Sequence, residues 1–169
     1  MQFTIYKSFL QELFLKMHQE NINYLVLRGY EDLPDIVHHD LDFVVHNDSL
    51  KHFFLLLHNM SKTYGYIIKK DTVRQGLLKV YLDFGKNKLQ LDIFCEFRYA
   101  GLEYINIYDL FLNSRILASK IKVPNNNYEL AVSFLKEILH NSRIRKDKVL
   151  SLRELFDKLN YKLPFVKYF

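Results

Sequence analysis

Asp40-Leu41-Asp42 is the triplet in this chain best placed to do chemistry. If the segment 40–46 (DLDFVVH) is a strand, alternation puts Asp40 and Asp42 on one face and Leu41, Phe43 and Val45 on the other. Two carboxylates projecting side by side repel, so ionising both costs free energy. A divalent cation held between them removes that cost, and hard oxygen donors suit Mg²⁺ or Mn²⁺. An Asp-x-Asp triplet is also common on solvated strand faces, so further carboxylates must converge before the chemistry is specified.

The segment 77–97 supplies one. It is expected to form a hairpin with a four-residue loop at Gly85-Lys86-Asn87-Lys88, so that Phe84 faces Leu89, Tyr81 faces Asp92 and Lys79 faces Phe94. Lys79, Tyr81, Asp83, Gln90, Asp92 and Glu96 then share a polar face. Leu78, Val80, Leu82, Leu89, Leu91, Ile93 and Cys95 share the buried one. Asp92 thus sits mid-strand on a polar face, which is either part of a site or the solvent side of an antiparallel sheet. Cys95 reads as a small core residue.

Other side chains carry two readings each. His38 and His39 either orient a phosphate beside the first aspartate or lie in water. Arg28 either neutralises a phosphate or pairs with a nearby acid. Lys79 either contacts a nucleotide or balances Asp92. His140, Arg143, Arg145 and Lys146 either suit the negative end of a helix or bind a polyanion.

The elements that must position these residues follow from periodicity. Phe3, Tyr6, Phe9, Leu10, Leu13, Phe14 and Met17 trace one face of a helix over 3–19. The run 24–27 is a short buried strand ending at Arg28-Gly29, and Pro34 marks 30–39 as a loop. Asn47-Asp48-Ser49 supplies capping residues for a helix over 50–60. A strand is expected over 66–70, another over 103–108, and helices over 128–140 and 147–159. The aromatic residues of the helices keep helical spacing, which marks them as core and not as a base-stacking platform. The order points to an α/β (α+β) fold: a small mixed sheet with flanking helices, a core over 1–124 and a helical C-terminal cap over 125–169 of the same domain.

Composition sets the outer bounds. The chain has 169 residues, enough to bury a substantial core. One cysteine excludes an internal disulfide framework and a cysteine-based zinc site. No apolar run approaches the ~18–20 residues of a membrane helix, and the start of the chain lacks the apolar centre of a secretory signal, so a cytoplasmic location is expected. The net charge of +5 biases the protein toward anionic partners, too slightly to specify a nucleic-acid surface.

Leu27-Arg28-Gly29-Tyr30, nine residues, Asp40-Leu41-Asp42-Phe43 and the later Leu91-Asp92-Ile93 together resemble the nucleotidyltransferase fold of the DNA polymerase beta superfamily. The likeness covers about residues 22–97. The apolar-Arg-Gly start, the phrase Tyr30-Glu31-Asp32-Leu33-Pro34, and the helix 129–140 with its basic end resemble a bacterial branch associated with surface-polysaccharide gene clusters. The resemblance implies that Asp40 and Asp42 ligate two Mg²⁺ (or Mn²⁺) ions holding a nucleoside triphosphate. Asp92 would ligate the ion that activates an acceptor hydroxyl. Arg28, Gly29, Tyr30 and Lys79 would contact the nucleotide, Gly29 by letting backbone N–H groups approach the phosphates. Tyr30 departs from the family pattern, which carries a small residue there, and only its hydroxyl is left to donate. The implied activity moves a nucleoside monophosphate onto a sugar, a glycan precursor or a protein acceptor, the last resembling antitoxins of the superfamily. The alternative is a non-catalytic binding or scaffolding module of the same fold.

Overall fold

The computed structural model describes residues 3–38, 40–74 and 76–157. Its centre is a five-stranded mixed sheet in the order β1-β2-β5-β4-β3. The strands are β1 (Tyr24–Val26), β2 (Leu41–Val45), β3 (Ile67–Arg74), β4 (Leu77–Asp83) and β5 (Lys88–Phe94). β2 and β5 run parallel, and the other neighbouring pairs are antiparallel. Two short ribbons, β6 (Phe97–Tyr99) with β7 (Leu102–Ile105) and β8 (Ser114–Ile116) with β9 (Lys122–Pro124), extend the chain beyond the sheet.

One sheet face is apolar over β1, β2, β4 and β5, where Tyr24, Val26, Phe43, Val45, Leu91, Ile93, Val80 and Leu82 are all buried. The helices α1 (Phe3–Gln19) and α2 (Asn47–Tyr64) cover it, with Phe9, Leu13, Met17, Phe53, Leu57 and Met60 completing the core. The aromatic-rich composition goes into this layer. Phe9 meets Tyr64, Tyr66 and Phe84 edge-on at 5.4–5.7 Å, and Phe14 stacks on Tyr24. Each such buried ring contributes about 1.5–3 kcal/mol relative to exposure. α1 matches the helix expected over 3–19. α2 starts earlier than expected, because His46 and not the Asn47-Asp48-Ser49 cluster caps it: extended at φ −61°, its Nδ1 accepts the Asp48 amide at 3.3 Å. Gly65 ends it in the left-handed region at φ 68°, which only glycine enters without strain, and donates its amide to Ser61 O at 2.8 Å.

The other sheet face is divided. Near β1 it is apolar: Leu25, Leu27, Val44 and Phe94 pack against Ile107 and Leu110 of α3 (Ile107–Leu112) and Ala131 and Val132 of α4 (Asn126–Asn141). Beside that patch it is polar, carrying Asp42, Asp92, Lys79, Tyr81 and Lys69. α5 (Lys146–Asp157) packs on α4 through Leu152 against Leu130. The expected helices over 128–140 and 147–159 are thus present, each starting slightly earlier, and 158–169 of the expected cap lie outside the described residues. β8 and β9 form where the sequence reading marks no element, β6 starts at the last residue of the expected hairpin, and the strand expected over 103–108 divides between β7 and α3.

The β4–β5 register corrects one expectation. The Phe84 amide bonds Asn87 O at 2.8 Å, closing a two-residue turn at Gly85-Lys86 in place of a four-residue loop. Asp83 therefore faces Lys88, Tyr81 faces Gln90, and Lys79 faces Asp92. The slip is even, so every side chain keeps its expected face.

Candidate metal centre

Parallel pairing of β2 with β5 sets Asp42 directly opposite Asp92. Opposed residues on neighbouring strands project from the same face, so the two carboxylates leave the sheet together. Asp40 precedes β2 by one residue with the same parity as Asp42. Ligand oxygens of Asp40, Asp42 and Asp92 all lie within 4.8 Å of one another. Asp42 and Asp92 are buried, at 1% and 5% exposure, while Asp40 faces the solvent side of the cluster. Three hard carboxylates at this separation, one of them open to solvent, make a donor set that could hold a metal ion.

Buried carboxylates need partners. The Leu27 amide donates to Asp42 O at 2.9 Å, which carries the chain leaving β1 alongside β2 and sets Arg28 beside Asp42. Arg28 Nε donates to Asp42 Oδ2. Lys136 Nζ donates to Asp42 Oδ1 at 3.2 Å and lies 4.9 Å from the centre of the Phe94 ring. Lys136 stands one helical turn beyond Val132, which packs on the sheet, so α4 delivers it onto the carboxylate row. Gln90 Nε2 donates to Asp92 Oδ1 at 2.7 Å. Burial holds the Asp92 carboxyl above the usual carboxylate range. The Gln90 hydrogen bond works against it, Asp42 adds to it, and Lys79 on the adjacent strand opposes it.

The other expected site residues divide. Arg28 and Gly29 line a cleft that borders Asp40. Gly29 has φ +66°, and the space a Cβ would occupy there is open to 4 Å, so its backbone conformation, and not crowding, calls for glycine. Lys79 sits opposite Asp92, on the row itself. Tyr30 lies apart from the carboxylate trio. It is buried, its hydroxyl donates to Glu129 Oε2 at 2.5 Å, and that hydroxyl accepts from Arg115 Nη2 at 3.2 Å. Burial and then Glu129 push its phenol far above the usual range, so it stays protonated. The Tyr30 hydroxyl thus ties the loop after β1 to α4 and gives its one donor to Glu129.

His38 binds Asp32 at 2.7 Å at the surface, and His39 and the His140 side chain lie outside the described residues. Asp83 bonds Lys69 at 3.0 Å and the Gly85 amide at 3.0 Å, away from the trio. Arg145 grips the buried Glu137 through Nε at 3.0 Å and Nη2 at 2.9 Å, so the basic helix end closes an ion pair within the fold.

A cleft of two chambers opens beside Asp40. The smaller, about 280 Å³, is walled by Glu129, Ser133 and Glu137 of α4 and by Leu152 and Leu155 of α5. The larger, about 680 Å³, is lined by Arg28, Lys88, Arg145 and Lys148 with Gln90. Arg28, His38, Asp40 and Lys148 border both. No family model matches the sequence, and no curated protein or solved structure matches it. Lys136 and Gln90 complete the arrangement, and neither is among the expected site residues. Gln90 was legible as a member of the Asp92 face, two residues away on one strand; Lys136 carries no local signal.

Proposed function

We propose that the protein is a metal-dependent nucleotidyltransferase. It would move a nucleoside monophosphate from a triphosphate to an acceptor hydroxyl, and the convergence of Asp40, Asp42 and Asp92 carries this reading. Mg²⁺ or Mn²⁺ bound by the three would supply Lewis-acid stabilisation of phosphate oxygens. The wall of the larger chamber carries Lys88 and Lys148 together with Arg28 and Arg145, the last two already paired with Asp42 and Glu137, a cationic set that would suit a polyphosphate. Asp92 would ligate the ion that activates the acceptor hydroxyl and share in taking up its proton: burial raises its carboxyl, and Gln90 holds Oδ1. In that step the acceptor oxygen bonds the α-phosphorus, the bond to the β-phosphate oxygen breaks, and pyrophosphate departs. The resemblance to a polysaccharide-associated branch puts a sugar or glycan precursor first among acceptors, with a protein hydroxyl next.

The second reading is a non-catalytic module. It is favoured by Arg28 and Lys136, which already engage both oxygens of Asp42, and by Tyr30, which offers nothing to a phosphate. Thermal unfolding with Mg²⁺ or Mn²⁺ and each of the four nucleoside triphosphates separates the two. Catalysis requires at least one to stabilise the protein, by about 2.7 kcal/mol at a hundred times its Kd. Asp42→Asn should abolish the rise. Absence of a rise with every nucleotide favours the module. Asp92→Asn should remove turnover while retaining much of the nucleotide affinity; unchanged turnover would eliminate Asp92 as proton acceptor.

A further inference from the structure

We infer that Lys136 is a resident counter-ion that a divalent cation must displace from Asp42, so that this residue on α4 sets the metal affinity of the centre. The inference rests on the metal reading above and extends it to a residue outside the carboxylate trio.

The argument begins with charge. The cluster holds three carboxylates, Asp40, Asp42 and Asp92. Three cations face it: Arg28 on Asp42 Oδ2, Lys136 on Asp42 Oδ1, and Lys79 opposite Asp92. The trio is therefore matched in number by cations without a metal, with Lys79 shared between Asp92 and Asp71 across from it on β3. A divalent ion entering a matched, largely buried cluster adds two uncompensated charges in a medium that screens them poorly. Either a resident cation leaves or an anion arrives with the metal.

Lys136 is the cation built to leave. Arg28 is held by the chain direction fixed at the Leu27–Asp42 backbone bond, and Lys79 belongs to β4, which is paired on both sides by β5 and β3. Lys136 reaches Asp42 only through its flexible side chain, as a point charge with a hydrogen bond of 3.2 Å. That side chain is 22% exposed against 28% for Arg28, so both have a route to water, and it is the single-point contact of Lys136 that marks it as the one to leave. α4 also presents Ser133 and Glu137 to the cleft, so a released Lys136 stays on the helix that walls the smaller chamber. An incoming polyphosphate would offer the freed ammonium a new partner. The centre would accordingly bind a lone cation weakly and a cation with its anionic nucleotide cooperatively.

Mn²⁺ titration, followed by the electron paramagnetic resonance signal of free Mn²⁺, tests this on wild type, Lys136→Met and Lys136→Arg without nucleotide. Lys136→Met should bind Mn²⁺ more tightly, on the order of ten-fold, because one competing charge at contact distance is gone. Lys136→Arg keeps the charge and should stay close to wild type. Lys136→Met should also melt lower than wild type without metal and regain more on adding Mn²⁺. A merely structural ion pair would lower the melting temperature and leave Mn²⁺ affinity unmoved, which would overturn the inference. Equal or weaker Mn²⁺ binding by a folded Lys136→Met would do the same, leaving the metal centre intact. If Lys136→Met fails to fold, Lys136→Gln carries the same comparison. Absence of Mn²⁺ binding in all variants at millimolar metal would remove the metal reading itself, and this inference with it.

Discussion

Tyr30→Phe tests whether the residue after Gly29 is a ligand contact or part of the frame. The hydroxyl is buried, donates to Glu129 at 2.5 Å and accepts from Arg115 at 3.2 Å. Phenylalanine preserves the ring and its volume, so the substitution removes those hydrogen bonds and little packing. A hydrogen bond to a charged group contributes about 1.5–3 kcal/mol, and Glu129, at 6% exposure, has little access to water as a substitute partner. For a chain of this size each kcal/mol moves the melting temperature by about 2–4 °C, so Tyr30→Phe should melt about 3–12 °C lower. The assay is thermal unfolding of both proteins, alone and with Mg²⁺ and a nucleoside triphosphate that stabilises the wild type. The nucleotide-induced rise should be the same in both. An unchanged melting temperature together with loss of the nucleotide response would refute the structural assignment and return Tyr30 to the phosphates.

Asp92→Asn should remove a pH-dependent penalty. The folded carboxyl ionises above the range of its unfolded counterpart, mainly through burial, so between those two ranges the folded state binds the extra proton. Wild-type stability therefore falls as pH rises through that window; metal-free Asp92→Asn should melt higher at neutral pH, and the gain should vanish at lower pH. A parallel offset at all pH values would show that ionisation of Asp92 is not the cause. Gly29→Ala should cost about 1–2 kcal/mol, since φ +66° strains any residue with a Cβ while the surrounding space is open; denaturant unfolding measures it, and a neutral result would mean that the loop relaxes.

Most of the frame was legible because periodicity is local. α1 runs over the span its apolar stripe marks, and both faces of β4 and β5 come out as alternation requires. The register does not, because Gly85-Lys86-Asn87-Lys88 admits a two- or a four-residue turn and only the Phe84–Asn87 bond decides. The trio was legible as residue types, Asp40 and Asp42 from one strand and Asp92 from a polar strand face. Their convergence depends on β2 and β5 pairing in parallel although α2, β3 and β4 intervene in the chain, a tertiary fact. Lys136 was invisible for the same reason. It is one lysine on an amphipathic helix, 94 residues from Asp42, and nothing near it in sequence marks it as different from a solvated lysine.

The energetics of that pairing argue for a role beyond architecture. Like charges directly opposed on adjacent strands destabilise a sheet. Here the opposed pair is also buried, at 1% and 5% exposure, where desolvation adds to the repulsion. Three basic side chains from three elements, Arg28 after β1, Lys79 on β4 and Lys136 on α4, converge to offset it. A pair of branched apolar residues at 42 and 92 would need none of them, and replacing buried ion pairs by apolar residues is often neutral or stabilising. The apolar neighbours Val44 and Phe94, one step along the same strands and face, show that the fold accepts such residues there. Two costly aspartates beside an open third, which borders a cleft of about 680 Å³, are what the proposed metal centre would require and what architecture alone would not.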